Sequence, residues 1–218
     1  MIDSIPNRSF KAKFYEWGSK PYWCRSYLDV KNIEAPSAKS HPDLTIIMLN
    51  PGSAGNEVEL KAQKDRHELD KEICVGADRT LKRITLLMDN PEIKWIRVLN
   101  LSDLKCPQSS LFFEFVAPFK EVEPHHSIFH DSRSQDLLKL ILPGSYVYLA
   151  WGVNPRADCL REMAFEKLRK LKARKLNIFP PYYHPLVRHS SWSDQASREL
   201  GEWFGDRSPK RPPLFECT

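Results

Sequence analysis

Two asparagines and a histidine stand where buried strands are predicted to end. An uncharged apolar run from Thr45 to Leu49 stops at Asn50-Pro51-Gly52, a second run ends at Asn100, and His184 follows a later one. Proline removes a backbone donor and glycine permits positive φ, so the first run must end in a turn. Ligands of open α/β sheets bind outside the carboxyl ends of the strands, so these residues are candidates for a site.

The chemistry open to these side chains is that of polar positioning. An asparagine amide offers a carbonyl acceptor and two N–H donors, so Asn50 can hold a water molecule but cannot take its proton. A neutral histidine such as His184 can donate a hydrogen bond to a group that becomes negative. The competing interpretation is structural: Asn50 and Asn100 would cap strand ends, and His184 would be an ordinary loop residue.

Strands alternating with helices must position these residues. Four buried runs predict strands near residues 45–49, 95–100, 146–152 and 175–179, and helical spacing is found over 79–89, 134–142 and 158–175. This alternation predicts an α/β fold, with three α/β/α layers around a central, mostly parallel, four-stranded sheet.

The chain divides into three predicted parts. Residues 1–43 are rich in aromatic side chains and predict an N-terminal extension of short, irregular or antiparallel elements packed on one edge of the sheet. Residues 44–204 form the main domain, and 205–218 form a proline-rich basic tail.

Composition bounds the class of protein. With 41% hydrophobic and 28% charged residues the chain is globular, and no apolar run approaches the roughly 20 residues of a membrane span. The N-terminus lacks a signal-peptide core, so we expect a cytoplasmic protein without membrane contact. The five cysteines form no CxxC pair, and His125, His126 and His130 lack zinc-type partners in sequence, so we expect neither metal nor cofactor.

Positive charge is concentrated in one predicted helix. Residues 161–175 carry seven basic and two acidic side chains, within a chain of net charge +5. Such an excess is compatible with a phosphate-rich partner, although a solvated helix face explains it equally well.

The four strand ends, taken in order, resemble those of the uracil-DNA glycosylase superfamily. They read Met48-Leu49-Asn50-Pro51-Gly52-Ser53, Val98-Leu99-Asn100, Leu149-Ala150-Trp151-Gly152 and Tyr183-His184-Pro185-Leu186. The chain is more similar to an uncharacterised bacterial glycosylase-like family with an Asn-Pro-Gly/Ser turn. In that family an Asp-x-Thr helix start and a Val-x-Asn-Leu strand follow the turn, and Asp78-Arg79-Thr80 and Val98-Leu99-Asn100-Leu101 fit this pattern.

The resemblance implies a uracil-DNA glycosylase-like fold and a monomeric, monofunctional DNA glycosylase. It would cleave the N-glycosidic bond of a flipped uracil or modified pyrimidine in single- or double-stranded DNA. Asn50 would position the water, and His184 would stabilise the leaving base. The implied base-binding residues are Asn100, Gly52, Phe112 and Phe113, and the implied DNA-binding residues are Ser53, Pro185, Leu186, Arg188, Ser190 and Ser191.

Two alternatives remain open from the sequence. The chain could be a non-catalytic nucleic-acid-binding module on the same fold, or a nucleoside- or nucleotide-binding protein. The final loop lacks the second proline of the family's His-Pro-Ser-Pro pattern, and the first turn lacks the tyrosine that excludes thymine in one branch. A larger or modified pyrimidine therefore fits as well as uracil.

Overall fold

A mixed β-sheet with helices organises the chain. The computed structural model describes residues 5–17, 22–37, 39–52, 71–106, 109–116, 126–176, 182 and 198–202. Among these residues the sheet has seven strands: β1 (Arg8–Trp17), β2 (Tyr22–Asn32), β3 (Leu44–Met48), β4 (Ile73–Cys74), β5 (Trp95–Asn100), β6 (Tyr146–Leu149) and β7 (Arg174–Leu176). Their order across the sheet is β4-β1-β2-β5-β3-β6-β7.

The α/β class is confirmed, and the sheet is larger than predicted. Strands β5, β3, β6 and β7 run parallel to one another, while β4, β1 and β2 add an antiparallel half that joins the parallel half through the antiparallel pair of β2 and β5. The sheet therefore has seven strands rather than four, and it is mixed. The prediction counted only strands that are buried on both faces, because continuous apolar runs are the clearest strand signal.

The additional strands come mainly from the N-terminal segment. Strands β1 and β2 pair antiparallel over their whole lengths, and β2 also pairs with β5. Phe10, Ala12 and Phe14 alternate with the less buried Lys11 and Lys13 along β1, which is the period of a strand with one face on a core. Instead of short, irregular elements packed on one edge, this segment forms two long antiparallel strands within the sheet, with one register shift between Lys13 and Phe14.

Four helices with defined bounds accompany the sheet in the described part of the chain, and residues 198–202 are also helical. The four are α1 (Arg79–Ile84), α2 (Ser109–Val116), α3 (Ser134–Leu140) and α4 (Asp158–Lys170). Short 3-10 helices extend α1 at Thr85–Asp89 and lead into α3 and α4. None of the described helices is both long enough and apolar enough to cross a membrane.

Two apolar cores lie on the two faces of the sheet. Along β3 the buried side chains alternate, with Ile46 in one core and Ile47 in the other. Leu81 of α1 packs in the first core, and Leu168 of α4 packs in the second. Helical side chains therefore cover both faces, which is why β3 has no exposed residue.

One buried ion pair joins β2 to β5. Arg97 directs Nε to Asp29 Oδ1 and Nη2 to Asp29 Oδ2, both at 2.8 Å, and both side chains are buried. The Arg97 guanidinium also lies over the rings of Tyr27 and Trp95. A bidentate pair with stacked aromatics fixes the lateral contact between the antiparallel and parallel halves of the sheet.

We expect Asp29→Ala to lower the free energy of unfolding by about 3–5 kcal/mol, because it leaves a buried guanidinium without its counter-ion. The double variant Asp29→Leu/Arg97→Met should lose less, since neither charge remains. Urea unfolding at pH 7 measures both, with Asp89→Ala on the exposed 3-10 turn as control. A double variant less stable than Asp29→Ala would contradict this account.

Candidate functional site

The turn after β3 and the loop after β5 run side by side at the carboxyl edge of the sheet. Met48 lies opposite Asn100 in the parallel register, and its carbonyl accepts from Leu101 N at 2.7 Å. Further on, Cys106 N donates to Pro51 O at 3.1 Å. The pairing thus continues past the strand ends, and it brings the Asn50-Pro51-Gly52 turn next to the segment that follows Asn100.

The Asn50 side chain is held in one orientation. Its Nδ2 donates to Cys106 O at 2.7 Å and to Pro51 O at 3.0 Å. Both partners are carbonyl oxygens, so the amide nitrogen must face them and Oδ1 must face away. Within the described residues no group donates to Oδ1, and the half-buried Asn50 therefore presents a fixed acceptor at the sheet edge.

An aspartate lies next to the same turn. Asp78 caps α1 by accepting from Leu81 N at 2.8 Å through Oδ1. Its other oxygen, Oδ2, would lie 3.7 Å from a Cβ placed on Gly52. Gly52 therefore borders a carboxylate, and the side chain that starts α1 also belongs to the surroundings of the site.

Asn100 is completely buried and is bound by an arginine that the sequence analysis did not select. Arg25 Nη2, from β2, donates to Asn100 Oδ1 at 3.0 Å. Within the described chain Asn100 Nδ2 has no hydrogen-bond partner. The amide was expected to present both a donor and an acceptor, and the structure shows that its acceptor is engaged by Arg25.

Arg25 is itself buried and incompletely paired. Its Nε has no partner among the described residues, while its backbone N–H donates to Asp103 O at 2.8 Å. Burial lowers the pKa of the Arg25 guanidinium to about 10, against the opposing effect of the Asp78 and Asp103 carboxylates. A guanidinium with this pKa is still protonated at neutral pH.

Asp103 closes the cluster on the side of the N-terminal hairpin. Its Oδ2 accepts from Arg133 Nη1 at 2.6 Å and from Tyr15 OH at 2.8 Å, and its Oδ1 has no partner in the described residues. Burial raises the pKa of the Asp103 carboxyl to about 6, although Arg133, Tyr15 and Arg25 act to lower it. Burial and the nearby Asp103 carboxylate also raise the pKa of Tyr15.

Sequence reasoning missed this polar cluster, which we define as Tyr15, Arg25, Asp103 and Arg133. Its members lie up to 118 residues apart, and all four lie outside the predicted core strands. One signal was available: Arg25 is a charged residue within the aromatic run Tyr22-Trp23-Cys24 and Tyr27-Leu28. A charge at such a position needs a buried partner.

The two phenylalanines proposed for base binding pack in the second core. Phe112 is fully buried, and its ring meets that of Phe113 edge-on at 5.2 Å. The Arg156 guanidinium lies 4.9 Å from the centre of the Phe113 ring. Leu99 and Leu101, the chain neighbours of Asn100, belong to the same core, and Leu49 packs against it. The role of the two phenylalanines in base binding stays a prediction.

The remaining candidates lie outside the described residues: Ser53, His184, Pro185, Leu186, Arg188, Ser190 and Ser191. Tyr182, two positions before His184, is described. Its carbonyl accepts from Gly152 N at 2.6 Å, and its ring stacks on Trp151 with centroids 5.9 Å apart. The chain is therefore fixed to the turn after β6 just before the predicted histidine.

Basic side chains of the α4 region are partly neutralised. Lys167 pairs with Asp131, and Lys170 Nζ lies 2.6 Å from Glu166 Oε1. Lys172 and Arg174 are exposed beyond the end of the helix. The positive surface is thus smaller than the sequence count implies.

No metal centre is formed by the part of the chain that is described, since it contains no group of three or more histidine, cysteine, aspartate or glutamate side chains suited to hold an ion. His126 is buried, with Nδ1 2.9 Å from Ser102 Oγ. His130 caps a 3-10 turn by accepting from Ser132 N.

Comparison of the chain with protein-family models, curated proteins and solved structures finds no match. The family relationship therefore stays a prediction from the four strand-end motifs.

Asp103 should make the stability of the protein depend on pH. Its folded-state pKa, about 6, lies above the ordinary 3.8, so the folded chain binds the extra proton between these values and loses stability as pH rises through them. Asp103→Asn removes this dependence. The free energy of unfolding of the variant minus that of wild type should increase by about 3 kcal/mol from pH 3.5 to 7.

Urea unfolding at half-unit pH steps measures this difference, with Asp136→Asn on the exposed side of α3 as the matched control. A difference for Asp103→Asn that stays constant with pH, or that falls, would show that Asp103 does not titrate as described.

Proposed function

We propose that the chain is a DNA glycosylase-like hydrolase that cleaves the N-glycosidic bond of a flipped uracil or modified pyrimidine in DNA. The uracil-DNA glycosylase-like fold is part of this proposal. Its support is the parallel half of the sheet, with the turn after β3 and the end of β5 at one edge.

The observation that carries the proposal is the fixed amide of Asn50. Two backbone carbonyls hold Nδ2, which leaves Oδ1 as an oriented acceptor at the carboxyl edge of the sheet. Cleavage of a deoxynucleoside bond passes through an oxocarbenium-like state, so it needs a placed water and a favourable electrostatic field more than a strong base. An amide that cannot take a proton but can orient water meets that need.

The other proposed roles fit the same edge. Asn100 would donate from Nδ2, a buried donor without a partner in the described chain, to the polar edge of the base. His184 would donate to the base oxygen that becomes negative. Its support is the sequence motif Tyr183-His184-Pro185-Leu186.

Base release from oligonucleotides tests the reaction. Single- and double-stranded DNA with uracil or a modified pyrimidine is incubated with the protein and then treated with alkali to reveal abasic sites. Cleavage is expected, and Asn50→Ala should lower the single-turnover rate about 100-fold because the water loses its acceptor. His184→Ala should lower it by a similar factor.

Asn90→Ala is the matched control, because the Asn90 side chain is likewise held by the local backbone, accepting from Glu92 N through Oδ1, but lies before β5, away from the site edge. It should retain the wild-type rate. Absence of abasic sites with every substrate would overturn the proposal. If DNA binding then survived Asn50→Ala and His184→Ala and weakened with salt, a non-catalytic DNA-binding module would be established instead.

Substitutions of basic residues at the end of α4 and just beyond it test separately whether DNA is the partner. Replacing Lys170, Lys172 and Arg174 by alanine should weaken binding to duplex DNA and reduce the slope of log K against log salt, because fewer counterions are released. Fluorescence anisotropy at several salt concentrations measures both quantities. The control replaces the exposed Lys11, Lys71 and Lys139. Unchanged turnover and binding in the α4 variant would favour a free nucleoside or nucleotide as ligand.

A further inference from the structure

Arg25 is an unusual residue to bury without a direct carboxylate partner. It is 4% exposed, and the side-chain hydrogen bond that it makes among the described residues goes to the neutral Asn100 amide. Its Nε is left without an acceptor in that part of the chain. Burying a charge and an unpaired donor costs stability, so a bond made under these conditions points to a role beyond packing.

The bond has a directional consequence. A guanidinium carries donors only, so Arg25 can bind Asn100 through Oδ1 and never through Nδ2. Turning the amide by 180° would place its NH₂ group against the guanidinium, with no hydrogen bond possible. The orientation of Asn100 is therefore decided by Arg25, and Nδ2 is the amide atom left without a hydrogen-bond partner among the described residues.

We propose that Arg25 is a positioning residue that fixes the Asn100 amide, so that the site accepts a base with a carbonyl and rejects one with an exocyclic amine at the same position. This inference rests on the proposed function, because it assigns Asn100 to the polar edge of the base. A carbonyl accepts from Nδ2, whereas an amine would oppose donor to donor.

Nδ2 is enclosed in this structure, so base entry must shift atoms around Asn100. Arg25 binds Asn100 from β2, which flanks β5 on the side away from β3, so this bond does not involve the backbone of the turn at residues 50–52.

Two variants of Arg25 separate its effect on the orientation of the Asn100 amide from the effects of its charge and its packing. Arg25→Gln keeps a long polar side chain but can donate or accept, so Asn100 can turn either way. Arg25→Lys keeps a group that only donates. Free uracil and free cytosine serve as carbonyl and amine probes, and NMR titration gives the ratio of their dissociation constants for each protein.

Wild type and Arg25→Lys should prefer uracil, and Arg25→Gln should lose about tenfold of that preference, the discrimination carried by one hydrogen bond. A preference that Arg25→Gln retains would overturn the role of Arg25 and leave the proposed reaction intact. If the wild-type protein releases a base from DNA but binds both probes equally, the role of Arg25 is also overturned. If the protein neither releases a base from DNA nor binds either probe, both proposals are overturned.

A measurement on the unaltered protein covers the case in which Arg25→Gln does not fold. The side-chain ¹H–¹⁵N pair of Asn100 should shift when uracil is added and not when cytosine is added. If uracil binds and DNA is cleaved while this resonance stays unchanged, Asn100 does not read the base and the proposal fails.

Discussion

Parallel pairing of β3 with β5 is the constraint on which the rest of the site depends. It sets Met48 opposite Asn100, and it continues past both strand ends through hydrogen bonds that reach Pro51 and Cys106. A shift of one residue would move every side chain to the other face of the sheet. The orientation of Asn50 follows from the same register, because Cys106 supplies one of the carbonyls that hold its amide.

The antiparallel half of the sheet supplies polar side chains that surround this edge. Strand β1 provides Tyr15 and strand β2 provides Arg25, and both reach Asp103, a loop residue three positions after Asn100. Buried polar groups are stable only where partners meet them, so the hairpin and the edge of the parallel half depend on each other. The N-terminal segment is therefore part of the candidate site.

The charges and amides around Asn50 and Asn100 would suit the proposed reaction, which needs orientation more than acid–base strength. Arg25 stays protonated, and Asn50 and Asn100 are neutral amides whose hydrogen bonds fix which atom each one presents. The carboxyls of Asp78 and Asp103 lie around Arg25 without a described hydrogen bond to its guanidinium. Such a preorganised arrangement can stabilise a developing charge without moving at the moment of reaction.

The sequence by itself determined the α/β class, strands close to β3, β5 and β6, and the placement of Asn50 and Asn100 at strand ends, because long apolar runs and Asn-Pro-Gly turns are local signals. The extent of the sheet and the polar cluster were decided only by the tertiary structure. Tyr15 and Arg133 are 118 residues apart, and the partner of a buried charge is set by how strands pair, which no local pattern records.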